Sequence, residues 1–222
     1  MNNYQYPLQD LEKNYKNSLM EKQFAKLISV VFHPLLMPSY ALLLLFVTDY
    51  YFVLVLPTQY KYLIFSFVFI TTFVMPLLMM LILLKAKMIS SIQMESRKER
   101  VLPLFIVSGF FFATFYFLRE APQASIFNLF MLGSTILVLL SLLINYITKI
   151  SVHMVALGGI LGAFIGFALT FSQDIQHLIY LIILVAGFTG FARLKLNSHT
   201  PAQVYMGFLL GAGFMLSMII FI

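Results

Sequence analysis

Long apolar runs separated by short polar segments cover most of the chain. A helix needs roughly 20 apolar residues to cross the hydrocarbon core of a bilayer. Runs of about this length predict seven spans, at 28–48, 61–84, 102–119, 125–147, 153–172, 176–192 and 203–222. The pattern therefore predicts an all-α fold, a polytopic transmembrane helical bundle of about seven spans.

The first residues of the chain do not follow this apolar pattern. They are polar and mixed in charge, with a few apolar residues between them, which is typical of an interfacial amphipathic helix near Leu11–Lys26. We therefore expect residues 1–26 to form a cytoplasmic or interfacial tail and residues 27–222 to form the transmembrane domain. Pro34 and Pro38 lie early in the first span and predict a kink or broken turn there.

Composition agrees with a membrane protein. Of the 222 residues, 61% are hydrophobic and 10% charged, whereas about a quarter of a soluble domain is charged. The formal net charge is +6. The basic residues lie in short loops between apolar runs, which favours contact with anionic headgroups or phosphates over nucleic acid. The chain has no cysteine, so disulfides and thiolate metal sites are excluded.

The Lys and Arg residues are unevenly divided between the two ends of the predicted spans. Lys61 and Arg119 fall at one end, and the other twelve fall at the opposite end: Lys13, Lys16, Lys22, Lys26, Lys85, Lys87, Arg97, Lys98, Arg100, Lys149, Arg193 and Lys195. Because cytoplasmic loops carry an excess of Lys and Arg, we expect the basic end and the N-terminus to be cytoplasmic. We further expect the membrane to be a bacterial inner, or cytoplasmic, membrane.

Glycines recur at four-residue spacing on two of the predicted helices. They are Gly158, Gly162 and Gly166 on the fifth span, and Gly207 and Gly211 on the seventh. Small residues at this spacing allow transmembrane helices to approach closely. We therefore expect these positions to serve helix packing and assign them no chemistry.

Three polar clusters interrupt the apolar runs, and the expected topology places all three at the basic face. They are Glu95–Arg100, Lys149–His153 and Arg193–His199. Ser151 and Thr200 are suitable N-caps for the helices that follow the second and third clusters. Helix N-termini offer unpaired N–H groups and a partial positive charge, so these clusters predict a phosphate-binding pocket.

The clusters resemble three motifs of the type 2 phosphatidic acid phosphatase and haloperoxidase superfamily. In the family's third motif, Ser-Arg is followed after five residues by His and after three more by Asp. Here Ala192-Arg193 is followed by His199 and Gln203 at the same spacing. The Pro-Ser-Gly-His second motif is matched by Ile150-Ser-Val-His153, and the first motif by Arg97, Arg100 and a displaced Pro103. The similar region spans roughly Ser96 to Gly211.

The resemblance implies a six-helix core, to which one further span is added here, and a metal-independent mechanism without a cofactor. By this resemblance His199 attacks phosphorus to form a phosphohistidine, and His153 protonates the leaving oxygen and then activates water. The phosphate-binding residues would be Arg97, Arg100, Lys149, Ser151 and Arg193. The substrate implied is a membrane lipid with a phosphate headgroup.

Gln203 departs from the family pattern, which has Asp at this position. Its amide oxygen is four residues beyond His199 and can reach the ring on a helix, so it would orient the imidazole without supplying negative charge. Glu95 or Glu99 of the first cluster could provide a carboxylate instead.

We therefore predict a membrane-embedded phosphatase that hydrolyses a lipid phosphate or pyrophosphate. The alternative is a catalytically inactive relative that binds, moves or senses an anionic lipid. An ion or solute transporter is disfavoured because the predicted spans carry almost no charge at mid-depth. His33 and His177 are interpreted as packing or interfacial residues.

Overall fold

The fold is described from a computed structural model, which covers residues 8–48, 50–91, 94, 96–120 and 125–221. Its helices are α1 (Leu8–Val31), α2 (Met37–Phe46), α3 (Tyr51–Leu54), α4 (Thr58–Phe69), α5 (Met75–Lys85), α6 (Arg97–Leu118), α7 (Ser125–Asn145), α8 (Val152–Phe171), α9 (Gln176–Lys195) and α10 (Pro201–Phe221). Within these ranges, seven helical segments are long and apolar enough to cross a membrane. The prediction of an all-α polytopic transmembrane bundle is confirmed.

The first crossing is made by two helices joined through a broken turn. α1 ends at Val31, a 3₁₀ turn covers Pro34–Leu36, and α2 begins at Met37. The Nδ1 atom of His33 accepts a hydrogen bond from the Leu35 N–H at 3.3 Å and so caps the 3₁₀ turn. The predicted interruption at the two prolines is therefore confirmed.

Helix α1 extends beyond the predicted tail, and the expected boundary between residues 26 and 27 falls inside it. Ala25 and Ile28 are buried against Ala192 of α9, and Glu21 pairs with Lys195. The apolar side chains on the other sides of α1 are exposed: Leu19, Met20, Phe24, Leu27, Val30 and Val31. The helix therefore packs on α9 through Ala25 and Ile28 and presents its other apolar side chains outward.

The second crossing contains α4 and α5, which are joined without a loop by one π-helical turn, Ile70–Val74. Pro76 follows directly, and a proline removes one helical hydrogen bond and clashes with the carbonyl four residues earlier. A π turn is one way in which a helix absorbs such a local disruption.

Helix α6 begins five residues earlier than the predicted span. Ser96 is its N-cap, and the Ser96 hydroxyl accepts a hydrogen bond from the Glu99 N–H at 3.3 Å. Arg97 and Arg100 therefore lie on the first turn of a helix rather than in a loop, and Pro103 lies inside it.

Helices α8 and α10 pack very closely, because glycines lie where the two backbones meet. A Cβ atom at Gly158, Gly162 or Gly211 would lie 2.1 Å from a backbone oxygen of the facing helix. At Gly207 the distance to the Ser151 carbonyl oxygen would be 2.8 Å. The predicted packing role of these glycines is confirmed, and it brings the N-terminal ends of α8 and α10 together.

Candidate phosphate-binding site

A cavity of about 880 Å³ opens at the basic end of the bundle. Its polar end is formed by residues that are far apart in sequence: Lys26, Ser29, His33, Arg100, Lys149, His153, Arg193 and His199. They come from α1, the 3₁₀ turn, the ends of α6, α8 and α9, and the loops before α8 and α10. The antiparallel order of the helices therefore gathers the three predicted clusters around one space.

His199 is held between a loop and a helix. Its Nδ1 atom lies 3.1 Å from the Lys149 carbonyl oxygen and 3.1 Å from Gln203 Oε1. Gln203 Oε1 also accepts the Thr200 N–H at 3.2 Å, which identifies this atom as oxygen. Because both oxygens can only accept, Nδ1 carries the proton, and Nε2 of the neutral ring keeps its lone pair.

The surroundings of His199 keep its imidazole uncharged. Its side chain is 7% exposed. Burial, together with the positive charges of Arg100 and Arg193, lowers the pKa of His199 to about 4. At neutral pH the ring is therefore the neutral base that a nucleophile requires.

Two arginines bring positive charge to the polar end. Arg100, 8% exposed, donates from Nε to the Met94 carbonyl oxygen at 3.1 Å and from Nη1 to the Ile150 carbonyl oxygen at 3.3 Å. Arg193 donates from Nη1 to the Ser29 hydroxyl at 3.4 Å, and its buried Nε has no partner among the described residues. Of the described residues that line the cavity, none is Asp or Glu. Buried charges are normally paired, so this arrangement favours an anionic ligand.

His153 lies at the first turn of α8 and contacts α1 and the 3₁₀ turn. Its Nε2 atom is 3.1 Å from the Ser29 carbonyl oxygen, so Nε2 carries a proton and Nδ1 is the nitrogen able to take another. The ring of His33 packs edge-on against it, with 5.6 Å between centroids. His33, interpreted from the sequence as a packing or interfacial residue, lines the same cavity.

The remaining predicted site residues differ in their relation to the cavity. Arg97 is exposed, does not line the cavity, and donates from Nη1 to the Ile147 carbonyl oxygen at 2.5 Å. Lys149 lines the cavity. Gln203 contacts His199 and lines a separate cavity of about 510 Å³ beside the α9–α10 loop. Arg97 thus joins α6 to the α7–α8 loop instead of facing the site.

Ser151 occupies the N-cap position of α8, but its side chain makes no capping hydrogen bond. The expectation of a side-chain cap is wrong, because the hydroxyl is fully buried, where it has no partner among the described residues. The backbone of Ser151 instead links the start of α8 to α10, because the Ser151 N–H donates to the Gln203 carbonyl oxygen at 3.3 Å. Ser151 does not line the cavity, so its predicted phosphate contact stays a prediction.

Of the two carboxylates considered for His199, Glu95 lies outside the described residues. Glu99 accepts a hydrogen bond from Ser90 at 2.9 Å and does not line the cavity. Across the described part of the chain, no group of three His, Asp or Glu side chains is placed to hold a metal ion.

The fold and the site define a polytopic α-helical membrane protein with a cationic, histidine-containing cavity at one end of its bundle. No known protein family, curated protein or solved structure matches the chain.

Proposed function

We propose that the protein is a membrane-embedded phosphatase that hydrolyses a lipid phosphate or pyrophosphate through a phosphohistidine at His199. The observation that carries this proposal is the combination at the polar end of the cavity. A neutral imidazole, with its proton held on Nδ1, lies near two arginines that no carboxylate among the described lining residues neutralises. These groups suit attack on a phosphorus atom whose oxygens the arginines bind.

The reaction would proceed in two steps at the same phosphorus. The lone pair of His199 Nε2 forms a P–N bond while the bond from phosphorus to the leaving oxygen breaks. His153, which takes a proton on Nδ1 when the anionic substrate binds, gives that proton to the leaving oxygen. Water then attacks phosphorus and gives a proton to His153, while the P–N bond breaks and the electron pair returns to Nε2. Arg100 and Arg193 would stabilise the charge on the phosphoryl oxygens in both transition states.

The location of the site supports a lipid substrate. The cationic groups lie at the ends of membrane-crossing helices, where a lipid headgroup is found. We propose that this end faces the cytoplasm of a bacterial inner membrane, because it carries most of the Lys and Arg residues. Membership of the type 2 phosphatidic acid phosphatase superfamily is part of the same proposal and depends on the three motifs.

The test is phosphate release by the purified protein in detergent, with a chelator present and a panel of lipid mono- and diphosphates. His199→Ala should lower turnover by at least about a thousandfold, as loss of a nucleophile usually does. His177→Ala is the matched control, since His177 is exposed at the other end of α9. Equal rates for wild type and His199→Ala would contradict the proposal.

One observation favours the alternative, a non-catalytic protein that binds, moves or senses an anionic lipid. Both partners of His199 Nδ1 are neutral, so neither supplies the negative charge that a carboxylate would bring to the cationic ring formed during phosphoryl transfer. Tight binding of lipid phosphates by the wild type, without release of phosphate from any of them, would support this alternative.

A further inference from the structure

The cavity continues beyond its cationic end into the interior of the bundle. Its inner part, here named the apolar shaft, is bounded by Val107 and Phe111 of α6, Phe130 and Leu137 of α7, and Ala156 and Ile160 of α8. The polar end and the apolar shaft belong to one continuous space, so a single ligand can occupy both.

The length of the apolar shaft follows from the helices that form it. On α6 the lining residues run from Arg100 through Val107 to Phe111, each about one or two turns apart along one face. At the helical rise of about 1.5 Å per residue, Arg100 and Phe111 are separated by about 16 Å along the axis. That is roughly half the thickness of the bilayer's hydrocarbon core.

The chemistry of the apolar shaft suits hydrocarbon. Its walls are mainly aliphatic and aromatic, and two serines of α7, Ser134 and Ser141, also line the cavity. The Ser141 hydroxyl donates to the Leu137 carbonyl oxygen at 2.8 Å. A water molecule needs two or more polar partners to stay in such a space. The volume of about 880 Å³ for the whole cavity lies in the range of sites that enclose a small-molecule ligand.

We propose that the apolar shaft binds one hydrocarbon chain, acyl or isoprenyl, of the same lipid whose phosphate lies between Arg100 and Arg193. The proposal rests on the proposed function for the phosphate end, and it adds that the substrate's chain enters the protein. Leu77 and Met80 of α5 also line the cavity.

The apolar shaft would contribute by fixing the position of the bound lipid. Moving a chain from bilayer hydrocarbon into a protein cavity yields little hydrophobic free energy, because lipid tails are as apolar as the walls. Contacts with the walls fix where the chain lies, however, and so fix the phosphate relative to His199. Positioning of this kind is a recognised source of catalytic rate.

The absence of tryptophan from the chain provides a direct test. Phe111, 4% exposed, ends the lining row on α6, whereas Phe112, 51% exposed, points out of the bundle at the same depth. Phe111→Trp and Phe112→Trp each introduce a single fluorophore. Both are titrated in detergent with dodecyl phosphate brominated at the chain end, which quenches tryptophan on contact.

Quenching of Phe111→Trp should saturate and be reversed by unbrominated dodecyl phosphate, while quenching of Phe112→Trp should only follow the brominated fraction of the micelle. Brominated dodecanol has the same chain and no phosphate. The concentration of it that half-saturates quenching should be at least about tenfold higher, because it lacks the charge-assisted contacts. Phe130→Trp repeats the test from α7 if Phe111→Trp does not fold.

Two results would overturn the proposal. One is proportional, unsaturable quenching at Phe111→Trp and Phe130→Trp; the other is equal half-saturation by the phosphate and the alcohol. Neither readout requires turnover. Saturable quenching without phosphate release would therefore support the apolar shaft as a chain-binding site and reject the phosphatase. Phosphate release without saturable quenching would support the phosphatase and reject the apolar shaft as a chain-binding site.

Discussion

Gln203 performs two tasks with one oxygen atom. Its Oε1 lies 3.1 Å from His199 Nδ1 and accepts the Thr200 N–H at 3.2 Å, while its own N–H donates to the Thr200 hydroxyl at 3.4 Å. This reciprocal pair is a capping box at the start of α10. The side chain that orients the candidate nucleophile is therefore fixed by the same contacts that begin the helix.

Gln203→Glu should raise phosphate release by about tenfold, because a carboxylate at the same reach stabilises the cationic ring that phosphoryl transfer creates. Glutamate keeps the side-chain length and the capping geometry. The measurement is turnover of a lipid phosphate at saturating concentration.

Gln203→Asp is the control for reach, since it carries the same charge on a side chain that is one methylene shorter. Phosphate release should rise less in Gln203→Asp than in Gln203→Glu. Unchanged turnover in both variants, with phosphate still bound, would argue against His199 as the nucleophile.

Phosphate should shift the titration of His199. In the free protein burial and the two arginines lower its pKa to about 4, so the ring stays neutral from neutral pH down to that value. A bound phosphate offsets the charge of Arg100 and Arg193 and should move the pKa up, toward 6.5. Histidine NMR in detergent measures this, with the resonance assigned by its loss in His199→Gln. A free-protein pKa near 6.5, insensitive to phosphate, would contradict the described environment.

The sequence indicated His153, His199 and the arginines as site residues, but it could not show which arginine faces inward. Arg97 and Arg100 are three residues apart on one helix, and the rotation of α6, which is set by packing, turns Arg100 into the cavity and Arg97 outward. His33 and Ser29 were missed for a related reason. They reach His153 only because α1 packs on α9, and no local pattern encodes that contact.

At the scale of elements, the seven crossings were predictable because bilayer thickness dictates the length of each apolar run. The ends of the helices were less predictable from the sequence. α6 begins at Arg97 because Ser96 caps it, and the charged first turn hid that start from a hydropathy reading. The sequence also left open where the N-terminal segment lies, and the structure places α1 against α9, with Lys26 and Ser29 lining the cavity.

The contact between α8 and α10 is the element-scale feature with the clearest test. Gly162→Ala would place a Cβ atom 2.1 Å from the Ala212 carbonyl oxygen, so the two backbones must separate. We expect a loss of about 1–3 kcal/mol, as overpacking usually causes, and a melting temperature lower by several degrees in detergent.

Gly213→Ala on α10 is the matched control, because a Cβ atom there meets nothing within 4 Å. It should leave the melting temperature unchanged or raise it slightly, since alanine favours helix more than glycine does. Equal melting temperatures for the two variants would show that α8 and α10 do not pack as closely as described.

At the scale of the whole molecule, an odd number of crossings within the described ranges would place Leu8 and Phe221 on opposite sides of the membrane. Seven candidate spans lie within the described ranges, and the cationic cavity opens at the end where α6, α8 and α10 begin. The side on which that end lies decides which leaflet supplies the ligand.

Cysteine labelling can determine the orientation, because the natural chain has no cysteine. Lys98→Cys lies at the basic end and Arg119→Cys at the opposite end; both positions are exposed and both changes remove one positive charge. An impermeant thiol reagent added to intact cells should label Arg119→Cys alone. Labelling of Lys98→Cys alone would reverse the proposed orientation.

The glycine contacts between α8 and α10 make the two sides of the cavity unequal in stiffness. His153 begins α8 and His199 precedes α10, so they sit on one rigid wall whose backbones already touch. Ser29 contributes single hydrogen bonds to His153 and Arg193 from α1, which forms the softer wall. We therefore expect α1 to be displaced more readily than α8 or α10 when a bulky headgroup enters, and substitutions along α1 to alter admission of ligand without disturbing the spacing of the two imidazoles.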